Sequence, residues 1–245
     1  MSRPVLLIAG GSRGIGAATA KLAGAAGYDV AVNYHSNANA AASVVGAIKS
    51  AGGNAVAVQG DMALEADIES VFEQVTKKFG AITHFVHSAG INGAYSRLDE
   101  ADAAKIRDVI AVDTFGALIC LRSCVRAMST KHGGKGGTVV MLSSMAASIG
   151  GAGECVWYAA AKGGVDSMVI GIAREVAKEG IRVNAVSPGV IDTDIQPPGR
   201  IERVTPMLPM GRPGQADEVA QAIMFLLSDA SSYVNGANLR VSGGR

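Results

Sequence analysis

Short runs of apolar, mostly β-branched residues recur along this chain, and longer stretches of helical periodicity separate them. The runs lie at Val5–Ala9, Val30–Tyr34, Ala55–Gln59, Ile82–His87, Thr138–Ser143, Arg182–Val186 and Asn238–Val241. Helices are predicted at 14–26, 38–51, 65–79, 100–131, 155–179 and 215–228. Strands that stay apolar without polar alternation are buried on both faces, and the helices between them supply the cover. The pattern therefore predicts an α/β fold: a parallel, seven-stranded, doubly wound sheet with helices on both faces. No linker, charge block or low-complexity tract interrupts it, so residues 1–245 are expected to form one domain. The stretch 190–213 lacks periodicity and carries Pro197, Pro198, Pro206, Pro209 and Pro213. A loop of that length at the carboxyl end of a strand reads as a substrate lid, or alternatively as a surface excursion.

Composition narrows the class. Apolar residues at 49% can fill a sizeable core, while 32 glycines and only 4% aromatics suit close helix-on-sheet contacts. A net charge of +1 without a basic cluster gives no footprint for nucleic acid or an anionic membrane. No apolar run approaches the roughly 18 residues of a membrane span. The first strand begins at Val5, leaving no room for a signal peptide, so a cytoplasmic protein is expected. Cys120, Cys124 and Cys155 have neither disulfide nor zinc spacing, and no metal is expected. Cys120 and Cys124, one helical turn apart, read as core.

Two segments carry candidate chemistry. Ala9-Gly10-Gly11-Ser12-Arg13-Gly14-Ile15-Gly16 follows the first strand and opens the first helix. Glycines there allow a tight turn and let backbone approach a pyrophosphate at the positive helix end. Folds that prefer NAD place an acid about 20 residues further on, against the ribose hydroxyls. Here the second strand ends Asn33-Tyr34-His35, and no Asp or Glu occurs between Asp29 and Asp61. Arg13 could pair a 2′-phosphate that a carboxylate would repel, so NADP(H) is expected over NAD(H). The second segment is Tyr158-Ala159-Ala160-Ala161-Lys162. A spacing of four puts the phenol and the ammonium on one helix face. An ammonium beside a phenol favours the phenolate; lowering its pKa from about 10 by about two to three takes roughly 3–4 kcal/mol. Val165, Val169, Ile172 and Val176 continue that face, which should turn the pair toward the sheet. Ser144 closes the fifth strand run at the sheet edge where such folds bind ligands, with Ser143 as its neighbouring alternative.

Taken together, these motifs resemble the short-chain dehydrogenase/reductase family over essentially the whole chain, with bacterial 3-oxoacyl-carrier-protein reductases and glucose dehydrogenases as the similar members. The resemblance implies a Rossmann fold. It makes Gly10, Ser12, Arg13, Gly14, Ile15 and Gly16 the phosphate turn; Tyr34 and His35, at the end of the second strand, are counted with the cofactor site by their position there. It further implies that Asp61-Met62 contact adenine and that Ser88-Ala89-Gly90 lie beneath the cofactor. Ser144, Tyr158 and Lys162 match the family's catalytic set, the last two also meeting the cofactor. Pro188-Gly189 with Ile191 and Thr193 matches the segment holding the nicotinamide carboxamide. The activity implied is transfer of a hydride between nicotinamide and a carbonyl or secondary alcohol, in a homotetramer built on helices 100–131 and 155–179.

Three positions depart from the family pattern. Asp113 stands for its catalytic asparagine, Ala9 for a threonine, and His87-Ser88 for an Asn-Asn pair. Asp113 keeps open an alternative, a non-catalytic NADP(H)-binding sensor of the same fold. A Rossmann-like methyltransferase is opposed by Tyr158, Lys162 and Pro188-Gly189. Glu154 and Cys155 are expected at the pocket edge, whereas Trp157 reads equally as pocket edge or core.

Overall fold

All seven strand runs form strands of one sheet. The computed structural model describes residues 3–245. In chain order the elements are β1 (Val5–Ala9), α1 (Gly14–Ala25), β2 (Asp29–Tyr34), α2 (Ala38–Ser50), β3 (Asn54–Gln59), α3 (Glu65–Phe79) and β4 (His84–His87). There follow α4 (Ala103–Ile110), α5 (Ala117–Met128), β5 (Gly137–Leu142), α6 (Ala146–Ile149), α7 (Val156–Val176) and β6 (Ile181–Pro188). The chain ends with β7 (Ile191–Asp192), α8 (Arg200–Val204), β8 (Gly214–Gln215), α9 (Ala216–Leu227) and β9 (Asn238–Val241). The seven-stranded sheet has the order β3-β2-β1-β4-β5-β6-β9, parallel throughout. The order reverses direction between β1 and β4, and the crevice beyond their carboxyl ends is where such sheets bind ligands.

Period-two alternation divides the core. Leu7, Phe85, Val139, Met141 and Val183 face α3, α5 and α7, where Ile68, Leu121 and Val165 meet them. Leu6, Ile8, Val86, Val140 and Val186 face α1, α2 and α9, against Ala20, Val44 and Ile223. Cys120 and Cys124 lie in the first of these cores, as their spacing implied. Helix ends are stabilised locally: the Asn37 side chain accepts from the Ala40 amide at 2.9 Å, and Gln215 with Glu218 forms a capping box on α9.

The structure refines one predicted element. The helix predicted over 100–131 is formed from Ala103 to Met128, but its ladder is π-helical at Ala111–Gly116, between α4 and α5. Such a turn inserts one residue into the helical ladder and re-aims its side chains, and it is frequent at functional sites. Gly116 makes that arrangement possible, because a Cβ there would sit 1.8 Å from the Met62 carbonyl oxygen. Gly116→Ala is accordingly expected to cost about 3 kcal/mol or more, read as a lower urea midpoint at unchanged slope. The 190–213 stretch also carries more order than its sequence suggested. It contains α8, and β7 pairs with β8 at its two ends.

Candidate active site

Among the described residues no helix is long and apolar enough to cross a membrane, and the feature that dominates the surface is a cavity. It has a volume of about 1420 Å³ and runs along the carboxyl edge of the sheet. One end is lined by Gly10, Ser12, Arg13, Gly14, Ile15, Tyr34, His35, Asp61 and Met62, and the floor by Ser88, Ala89 and Gly90. The other end holds Ser144, Tyr158 and Lys162, with Pro188, Gly189, Ile191 and Thr193 along the side. Every residue assigned from the sequence to the cofactor or the catalytic set therefore meets this one cavity except Gly16, whose part is packing. A Cβ on Gly16 would lie 2.3 Å from the Gly10 carbonyl oxygen, so the turn closes only around a glycine. Gly10 has φ +71° and presses on the Ala89 backbone, which an added Cβ would approach to 2.6 Å.

The turn fits a pyrophosphate. Among the described residues α1 has no side-chain cap and no acid in its first turn, so its first N–H groups and positive end remain available to an anion. A residue that sequence reasoning passed over holds this turn. Asn33, buried in β2, accepts from the Gly10 amide at 3.1 Å and donates to the carbonyls of Val58 and Gly60 at 3.3 and 3.0 Å. An asparagine inside an apolar strand was the available signal. Ala9 lacks the hydroxyl of a threonine, and here the link from β1 to β4 is the Ser88 amide donating to the Ala9 carbonyl at 2.9 Å. At the adenosine end His35 Nε2 lies 3.7 Å from Asp61 Oδ2, and exposed Arg13 lies 3.9 Å from Asp194 Oδ2.

The two serines separate by environment. Ser143 is buried and its hydroxyl donates to the Lys162 carbonyl at 3.2 Å, a scaffold role. Ser144 lies beyond the end of β5, lines the cavity and stands beside the Tyr158 phenol, where its hydroxyl favours the phenolate. Lys162 is buried on the inward face of α7, as the apolar stripe implied, with Val165 and Val169 in the core next to it. Its Nζ donates to the Leu142 carbonyl at 3.0 Å and lies 5.6 Å from the centre of the Tyr158 ring.

Asp113 changes the electrostatics of this pair. Its Oδ2 lies 3.2 Å from Lys162 Nζ, with 0% and 4% of the two side chains exposed. Burial opposes the ammonium, but the Asp113 carboxylate and the phenol outweigh it and hold Lys162 above its ordinary pKa. The phenol departs from the sequence expectation, which was a lowered pKa. Burial raises Tyr158, Lys162 lowers it, and Asp113 raises it again, leaving it above the ordinary value. The main reason is burial, which the attraction of Lys162 only partly offsets, and the Asp113 carboxylate adds to the rise. His87, fully buried beneath the cavity, is pushed down to about 3, first by burial and then by the Lys162 charge, so it is neutral.

Opposite the phenol, three loops meet. Glu154 binds Arg200 and Arg203 of α8, each at 2.7 Å, and the Arg200 guanidinium lies 5.4 Å from the centre of the Tyr95 ring. Burial opposes the charge on Glu154, yet the two arginines hold its carboxyl below the ordinary range. Asn92 donates to the Tyr95 hydroxyl at 2.7 Å and to the Ile195 carbonyl at 3.2 Å, tying the 190–213 segment to the loop after β4. Trp157 belongs to the core: it is buried with Val109 and Ala161, and its Nε1 donates to the Asn92 carbonyl at 2.9 Å. Glu154 and Cys155 do line the cavity. Tyr95, Asn92, Arg200 and Arg203 were not foreseen, because residues distant in sequence assemble this wall.

Residues 9–245 match the family model described as Enoyl-(Acyl carrier protein) reductase. The chain belongs to the short-chain dehydrogenase/reductase family. It is 42% identical to the Uncharacterized oxidoreductase YgfF of Escherichia coli (strain K12), over 98% of this chain and 99% of that protein. It is 36% identical to the human 3-oxoacyl-[acyl-carrier-protein] reductase, covering 98% and 97%. It is likewise 36% identical to the cis-4-hydroxycyclohexanecarboxylate dehydrogenase of Sinomonas cyclohexanicum, covering 98% and 95%. Among solved structures, a dehydrogenase/reductase from Sinorhizobium meliloti 1021 superposes with a TM-score of 0.93 at 31% identity, covering 100% of this chain and 95% of that one. Membership in the short-chain dehydrogenase/reductase family makes the protein an oxidoreductase of carbonyl or alcohol substrates and implies a nicotinamide cofactor.

Proposed function

We propose that the protein is an NADPH-dependent carbonyl reductase acting through Ser144, Tyr158 and Lys162. The observation that carries this reading is the buried Tyr158–Lys162 pair, with Ser144 beside it, in the same cavity as an uncapped glycine turn. Gly10 to Gly16 would hold the pyrophosphate, Asp61 and Met62 the adenine, and Ile191 and Thr193 the carboxamide. When bound, the cofactor supplies the hydride that reduces the carbonyl carbon. Ser144 donates a hydrogen bond to the carbonyl oxygen as negative charge builds there, and the Tyr158 hydroxyl gives that oxygen its proton. A phenol held above its ordinary pKa is protonated at neutral pH, which is the form an acid catalyst needs for reduction. Lys162 keeps a positive charge beneath the phenol and would bond the cofactor ribose. The segment 190–213 forms a substrate lid, latched to the rim by Glu154 with Arg200 and Arg203.

The substrate pair is read as a ketone and a secondary alcohol, which the names of the human reductase and the Sinomonas cyclohexanicum dehydrogenase support. The cytoplasm is the proposed location. A homotetramer is the proposed assembly, supported by Phe115 and Leu118 on the α4–α5 face and Ile170 on α7, all exposed apolar side chains. The direct test follows NADPH absorbance against a panel of cyclic and open-chain ketones. Consumption supports the reductase, whereas tight NADPH binding without turnover of any ketone would favour the sensor. The choice of NADPH has its own test. Arg13→Ala removes a charge-assisted hydrogen bond of about 1.5–3 kcal/mol, so NADPH affinity should fall roughly 10- to 100-fold while NADH affinity is unchanged. Equal loss for both cofactors, by fluorescence titration, would remove Arg13 from the phosphate.

A further inference from the structure

We infer that Asp113 is a positioning residue: a buried counter-ion seated directly on Lys162 that fixes the ammonium under the catalytic tyrosine and confines alcohol oxidation to alkaline pH. The inference rests on the reading of Tyr158 as the proton-transferring group. Its basis is geometric. The π-helical turn at Ala111–Gly116 directs Asp113 inward, where the side chain has no exposure. One carboxylate oxygen accepts from the Ile91 amide at 2.9 Å, immediately after the Ser88-Ala89-Gly90 floor. The other oxygen lies 3.2 Å from Lys162 Nζ as an ion pair and accepts no hydrogen bond. The lysine, held as well by the Leu142 carbonyl, is thus fixed between β5 and the π turn. Gly90 leaves room for the pair, since a Cβ there would come within 3.0 Å of Asp113 Oδ2 and 3.2 Å of Nζ.

Among the groups around the ammonium, Asp113 is the largest source of counter-charge. Tyr158 lies on the same helix as Lys162, and neutral His87 faces it from β4. Asp166, one turn along α7, adds a smaller contribution in the same direction and is itself acted on by the Arg240 charge. Cys155 faces the phenol and is a neutral thiol, its pKa raised by burial. The sign then follows. A carboxylate close to the phenol disfavours the phenolate directly and also cancels part of the ammonium's attraction for it. Carbonyl reduction, which uses the protonated phenol, is served by this arrangement. Alcohol oxidation, which needs the phenol as a base, is delayed until the pH is high enough to ionise it.

The deciding measurement needs no turnover and no cofactor. Ultraviolet titration of the phenol, as the difference between wild type and Tyr158→Phe, is compared with the same difference in an Asp113→Asn background. The Asn substitution should move the ionisation of Tyr158 to lower pH by about one unit, a tenfold change in its ionisation constant, while Asp113→Glu stays near wild type. The alkaline limb of kcat/KM for secondary-alcohol oxidation should move in the same direction. An unchanged midpoint in Asp113→Asn, or an equal change in Asp113→Glu, overturns the inference. If Asp113→Asn yields no folded protein, carboxyl NMR of wild type with ¹³C-labelled aspartate decides: an ionised Asp113 at pH 7 supports the counter-ion, and a protonated one overturns it. Failure of wild type to reduce any ketone would instead remove the functional reading and leave the titration result standing.

Discussion

Tyr158→Phe is expected to abolish most carbonyl reduction while leaving NADPH binding close to wild type. The phenol hydroxyl lines this cavity together with Ser144 and Lys162, placed to hand a proton to a substrate oxygen. A positioned acid contributes roughly 10²–10⁴-fold, and that is the loss anticipated. Because the hydroxyl acts in the transition state, kcat and kcat/KM should fall together with little change in KM. The ring itself is retained, so packing against Val109, Cys155 and Trp157 is preserved and thermal stability should be unaltered. Near-native ketone reduction by this variant would rule out the acid role.

The second large effect is on stability. Lys162→Met leaves the Asp113 carboxylate fully buried with its counter-charge gone. Breaking one side of a buried pair costs about 3–5 kcal/mol, because the remaining charge is neither solvated nor paired. Urea unfolding at fixed protein concentration should show that loss. The double variant Asp113→Asn/Lys162→Met removes the stranded charge along with its partner and should be clearly more stable than Lys162→Met alone. If the two variants unfold at the same urea concentration, Asp113 carries no charge in the native protein.

Much of the fold was legible in the chain because its determinants are local or periodic. The strand runs at Val5–Ala9 and Asn238–Val241 match the observed strands residue for residue, and the others differ by one or two positions at their ends. The glycine turn was legible for a different reason. At Gly10 and Gly16 the backbone approaches so closely that no other residue fits, so the constraint is written in the residue type. The spacing of Tyr158 and Lys162 was equally explicit, since four residues on a helix is a distance. Less could be seen where a side chain's role depends on a distant partner. Asn33, Asn92 and Arg200 became informative only beside Gly10, Ile195 and Glu154, each far away in the chain.

The amino-acid sequence alone thus determined the layered sheet, the edge at which a ligand binds, the phosphate turn and the face on which phenol and ammonium lie. Hydrophobic period and glycine placement act within a few residues and suffice for these. Only the tertiary structure decided how the site is charged. The predicted helix is interrupted by a π turn whose Gly116 leaves no room for a side chain against the Met62 carbonyl, and that turn holds Asp113, 3.2 Å from Lys162 Nζ. The tyrosine is displaced upward, chiefly because its phenol is buried, with Asp113 adding to the rise. A pKa depends on burial and on the sum of all nearby charges, and neither is fixed until β4, the π turn and α7 have packed together.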